Sequence, residues 1–161
     1  MSGTGSLPVT GIDLAVANSS GLNTFYASIW TVSAGGDPGV QLANAYWSLS
    51  TSTSAGTCCG LVSVSGITGV TLIGGHEYFM VLGPLSGSDN SFNVWDWSNQ
   101  VGSGTILVSA NGGSTWTGDG PGLGAFDVTS NGSSTPEPTT WPLLIGLGGG
   151  GFWRFRKHPV A

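Results

Sequence analysis

The sequence predicts an all-β fold, an antiparallel β-sandwich of jelly-roll-like type. Three observations carry this. Short runs of alternating apolar and polar residues recur between glycine-rich breaks, while helical periodicity is hard to find before residue 140. Lys, Glu and Gln, the usual surface helix formers, are nearly absent. Glycine makes up 29 of 161 residues, yet seven Trp, six Phe and 39% hydrophobic residues are too much apolar content for a disordered chain. That length allows one domain with a sizeable core.

The first strand is expected at 8–17, where Ile12, Leu14 and Val16 share one face and Asp13 takes the other. The second, at 24–32, puts Ala27 and Ile29 on one face and Tyr26, Ser28 and Trp30 on the opposite one. A turn cluster at 33–39 separates it from a third strand at 41–50. Strands are then expected at 58–65 and 68–73, followed after Gly74-Gly75 by 77–83. Residues 78–82 are apolar on both faces, as a central sandwich strand should be. The remaining strands are expected at 91–98, 105–110 and 123–129, with turns at 86–90 and 111–114. Asp37 precedes Pro38-Gly39, and Asp89 and Asp119 precede Asn90 and Gly120, so all three read as turn formers. The sandwich occupies 1–129, and 130–135 (Ser-Asn-Gly-Ser-Ser-Thr) reads as a flexible linker.

Charge narrows the function. Only 7% of residues are charged, against about a quarter in an ordinary soluble domain. All eight acids precede Arg154, and the three bases are Arg154, Arg156 and Lys157. A body without cations has nothing to neutralise phosphates, which excludes nucleic-acid binding and phosphoryl transfer.

Catalytic patterns are weak. His76 beside Glu77 is the only histidine of the body, and no Ser stands in a Gly-x-Ser-x-Gly elbow. A glycosidase pair is formally available from Asp89, Asp96, Asp119 or Asp127, although turn formation accounts for Asp89 and Asp119. No Asp-x-Asp-x-Asp calcium loop occurs, so no metal or other cofactor is expected. Cys58 and Cys59, the only cysteines, point to opposite strand faces. They are open to a vicinal disulfide on distorted backbone, to two small half-buried side chains, or to pairing with another molecule. Trp95 and Trp97 share a face bordered by Asn93 and Asn99, which suits stacking on sugar rings, although Trp in a sandwich more often packs in the core. Trp116, after Gly112-Gly113, belongs on a loop rim or at the end of the sandwich.

The C-terminus carries the most specific pattern. Pro136-Glu137-Pro138 is followed by Trp141, by an apolar run containing Leu143, Leu144, Ile145 and Leu147, and by the basic Arg154, Arg156 and Lys157. Cations after an apolar run stay on the cytoplasmic side and leave the preceding domain outside. These elements in this order, over 135–158, resemble the PEP-CTERM sorting signal of Gram-negative bacteria. The resemblance implies a partner, an exosortase-type membrane protease that processes the tail of proteins exported alongside extracellular polysaccharide. It also implies that 136–158 is a sorting and anchor segment, attached to the membrane until processed. The 15 residues from Trp141 to Phe155 span about 22 Å as a helix, against about 30 Å of hydrocarbon. Five of them are glycine, so this short apolar helix or tail is a weak span that serves as a thin anchor or a recognition tag.

Residues 9–15, Ile29-Trp30-Thr31 with 35–39, Cys58-Cys59, Glu77-Tyr78-Phe79, 95–97, 112–116 and 124–128 resemble the choice-of-anchor R domain of exported bacterial proteins. That resemblance implies a β-sandwich of unassigned role, with additional strands and a signal peptide ahead of the point where this chain begins. Met1–Gly5 shows no basic and apolar leader, so the expectation is a start site placed too late, the alternative being a truncated relative that no longer exports, with an exposed sheet edge in either case. The functional expectation is a non-catalytic protein of the cell envelope or extracellular matrix; the alternative is a carbohydrate-binding module acting through Trp95, Trp97 and Trp116.

Overall fold

A computed structural model describes residues 5–57, 60–87, 90–96, 98, 104–121 and 123–130. Among them the chain forms ten strands and no helix: β1 (Ser6–Ser20), β2 (Thr24–Val32), β3 (Pro38–Ser50), β4 (Leu61–Ser65), β5 (Thr71–Ile73), β6 (Tyr78–Gly83), β7 (Phe92–Trp95), β8 (Thr105–Val108), β9 (Thr117–Pro121) and β10 (Phe126–Ser130). The all-β expectation holds.

β1 organises one sheet. Its 15 residues pair antiparallel with four strands in turn: β5 at Ser6–Pro8, β4 and β10 along the middle, and β7 at Val16–Ser20. Register shifts between Val9 and Gly11 and between Asn18 and Ser20 let one strand serve so many partners. The second sheet has the order β3-β2-β6. Midway along, β3 contains Asn44 at φ 60°, where the β2–β3 register shifts between Ser28 and Trp30. β8 and β9 form a separate antiparallel pair.

The core lies between the two sheets, because the alternation in β1 and β2 faces inward. Val9, Ile12, Leu14 and Val16 of β1 meet Phe25, Ala27 and Ile29 of β2, with Ala45 of β3. Ile67 and Val70 enter from the β4–β5 connection and Leu72 from β5. Burying each of the larger side chains contributes about 1.5–3 kcal/mol. One polar group is threaded through this packing. The buried Thr51 hydroxyl donates to the Val16 carbonyl at 2.6 Å and accepts from the Thr53 N–H at 3.2 Å, tying the end of β3 to β1.

Three expectations need correction. Asp119 is not in a turn: it lies within β9, a strand the sequence reading omits because Thr-Gly-Asp-Gly-Pro has little β-propensity. Pairing with β8 supplies what local preference lacks. β6 is not central either, since among the described residues it pairs only with β2. It is apolar on both faces because Tyr78, Met80 and Leu82 pack on the core while Val81 is buried on the other side. Finally, β7 ends at Trp95 and not at residue 98, where backbone bonds from Asp96 to Ala15 and Ala125 replace the ladder.

Asp37 does close a turn, with the Ser33 N–H donating to its carbonyl at 2.8 Å. Cys58, Cys59 and Asp89 lie outside the described residues.

Candidate functional site

The register of β7 decides what Trp95 does. It stands opposite Val16, a core residue, and so points inward. Its indole N–H donates to the Ala125 carbonyl at 3.0 Å. Its ring meets Phe126 at a centroid distance of 5.7 Å and lies directly on Gly124, where an added Cβ would sit 2.2–2.7 Å from the indole. Asn93, the amide expected to border a sugar, is also occupied. Its side chain donates to the Thr24 carbonyl and accepts from Asn18, bonding β7 to the β1–β2 corner. Trp95 and Asn93 therefore build the sandwich. Trp97 and Asn99 lie outside the described residues.

Trp116 sits elsewhere, on the β8–β9 hairpin. The turn is held by Asn111, whose carboxamide oxygen accepts from the Thr115 N–H at 2.9 Å and whose amide donates to the Thr115 hydroxyl at 2.8 Å. Trp116 is half-buried and reaches back over Gly113 of that turn. The structure thus gives Trp95 and Trp116 separate roles on separate elements.

Between the inner faces of the two sheets the core opens into a cleft of about 850 Å³. Tyr78, Met80, Trp95, Phe126 and Val128 line it, with His76 and Glu77 exposed at its rim. Glu77 is the only carboxylate among the described lining residues. Asp127 is on the outside of the sheet, directly opposite Asp13, whose carboxylate accepts a hydrogen bond from Ser63. Among the described residues, no group of three His, Cys, Asp or Glu could hold a metal ion.

One surface escapes the sequence reading. The outward face of β2 presents Tyr26, Ser28 and Trp30, as alternation implies, but β3 adds Tyr46 to the same face. Tyr26 and Tyr46 stack with centroids 5.2 Å apart and planes 20° from parallel. Tyr26 also presses on Gly83 of β6, where a Cβ would come within 2.6–2.8 Å of its ring and hydroxyl. Burial, and then the neighbouring Tyr46 phenol, raise the Tyr26 pKa above the usual tyrosine value. The Trp30 indole N–H donates to Ser28 Oγ at 2.8 Å on the same strand face. Ser28 is wholly buried although it points away from the core.

Among the described residues no helix is long and apolar enough to cross a membrane. Residues 131–161, with Pro136, Glu137, Pro138, Trp141, Leu143, Leu144, Ile145, Leu147, Arg154, Arg156 and Lys157, lie outside them. Comparison with known proteins bears on that segment. No curated protein and no solved structure matches this chain. Residues 134–157 match the family model described as the PEP-CTERM protein-sorting motif. The match begins and ends one residue before the span read from the sequence, and it takes in the Pro-Glu-Pro triplet, the apolar run and the basic cluster. The chain therefore carries, at its C-terminus, the signal of exosortase-dependent sorting of exported proteins.

Proposed function

We propose that this chain is a non-catalytic β-sandwich protein of a Gram-negative cell envelope or extracellular matrix, held at the membrane by its tail until an exosortase processes it. The observation that carries the reading is the sorting motif at 134–157. The layout of the tail supports the anchored stage: an apolar run followed by Arg154, Arg156 and Lys157 keeps the tail's end cytoplasmic and the sandwich outside. A cation-free, all-β body, resembling exported choice-of-anchor R domains, supports export. The non-catalytic part is supported by the cleft, whose described lining offers a single carboxylate and so no facing pair of carboxylates of the glycosidase kind.

The test is processing. The chain is expressed behind an export leader in a bacterium that has an exosortase, with and without replacement of Pro136, Glu137 and Pro138 by alanine. Immunoblots of cell-surface fractions should show a shortened native chain and an uncleaved triple variant. Equal cleavage of both would refute the sorting role of the triplet.

A further inference from the structure

We infer that the outer face of the β3-β2-β6 sheet is a stacking platform for a neutral glycan chain, with Trp30 and Tyr46 as the contact rings.

The geometry starts at Ser28. A hydrogen bond from the Trp30 indole N–H to a hydroxyl two residues back on the same strand face forces the indole to lie down along β2. Ser28 and its cross-strand neighbour Val81 are consequently shut off from water on a face that points away from the core. An indole lying flat offers its other π-face to solvent. Tyr46, opposite Ser28 on β3, is 44% exposed and continues the surface; Tyr26 stacks behind it, wedged against Gly83. The rings are thus fixed before any ligand arrives, which removes much of the ordering cost of binding.

The chemistry around the rings selects the occupant. Gln41 stands opposite Trp30 and Ser48 opposite Tyr26, both exposed, and with the tyrosine hydroxyls they give donors and acceptors at the platform's margin. Apolar ring faces bordered by neutral hydrogen-bonding groups match a pyranose, which has an apolar C–H face and a rim of hydroxyls. No Asp, Glu, Lys or Arg occurs on β2, β3 or β6. All eight acids precede the first base in the chain, so an anionic polymer meets only repulsion on this body. A neutral chain does not. The inference stands apart from sorting, because binding is read on purified protein whether or not the tail is processed.

The experiment uses the full chain with cellohexaose, chitohexaose and mannohexaose as neutral probes and an alginate oligomer as the anionic one, by calorimetry and by saturation-transfer NMR. At least one neutral probe should bind in the micromolar to millimolar range and perturb the Trp30 and Tyr46 rings, and alginate should leave those rings unperturbed, whatever it does at the basic tail. Tyr46→Ala should weaken binding roughly three- to tenfold. Leu61→Ala, at an exposed site on β4, should leave it unchanged. Trp30→Leu keeps Ser28 covered and should abolish binding while the circular dichroism stays native. Failure of all three neutral probes at millimolar concentration would overturn the inference. So would alginate that perturbs the Trp30 and Tyr46 rings as strongly as they do, or unchanged affinity for the neutral probes in Tyr46→Ala and Trp30→Leu.

Discussion

Substituting Gly124 by alanine tests whether Trp95 belongs to the interior. A Cβ at Gly124 would stand 2.2 Å from Cε2, 2.3 Å from Cδ2 and 2.7 Å from Nε1 of the indole, whereas carbon atoms in contact keep about 3.5–4.0 Å. The indole would have to withdraw by more than about 1 Å. It is held by the Ala125 carbonyl at 3.0 Å, by Phe126 and by the core behind it. Overpacking costs about 1–3 kcal/mol, and a broken bond that leaves a buried donor unpaired adds about 1–3 kcal/mol. The expected loss for Gly124→Ala is about 2–6 kcal/mol, a large share of a domain's total stability. Urea denaturation followed by circular dichroism reads it as a lower midpoint at an unchanged slope. Gly118→Ala is the internal control: nothing lies within 4 Å of its added methyl, so stability should move by less than about 0.5 kcal/mol. A Gly124→Ala protein within that same margin would mean that the indole does not rest on Gly124, and Trp95 would again be available to a ligand.

Other consequences follow from single contacts. Thr51→Val removes the hydroxyl that bridges Val16 and Thr53 and should cost about 1–3 kcal/mol in the same assay, with little change in shape. Asp127→Asn relieves a carboxylate placed directly across from Asp13. It should gain about 0.2–1 kcal/mol at low salt, and the gain should shrink as salt is raised. Tyr26 favours its neutral form in the folded state, so its folded pKa lies above its unfolded one. That contribution is complete below the ordinary tyrosine pKa of about 10 and is lost as pH rises through the folded value. Absorbance titration should show Tyr26 ionising late, and Tyr26→Phe should flatten the alkaline fall in stability.

Much of the fold is legible in the sequence where alternation is clean. Ile12, Leu14 and Val16 against Asp13, and Ala27 and Ile29 against Tyr26 and Trp30, assign inner and outer faces correctly because the aliphatic residues of each strand alternate with polar or amphipathic ones. Where both faces are apolar, alternation says nothing. Trp95 follows that rule: only its register opposite Val16 turns it inward, and register is a long-range fact. β9 fails for the opposite reason, since its glycines and Asp119 look like a turn until β8 pairs with them. The outer aromatic face is half legible, in Tyr26 and Trp30 of one strand. Its completion by Tyr46 and Gly83 needs the neighbours on either side. The sorting signal needs none of this. It is read in order along the chain, and so it is the functional feature that the sequence carries most completely.

The central claim is that the tail is an exosortase substrate. The most direct measurement is the intact mass of the leader-fused protein recovered from two otherwise identical hosts, one with its exosortase gene deleted. The host that keeps the gene should yield a species lacking the apolar and basic end of the tail, and the deletion host an unprocessed tail. The same mass from both hosts would contradict the claim.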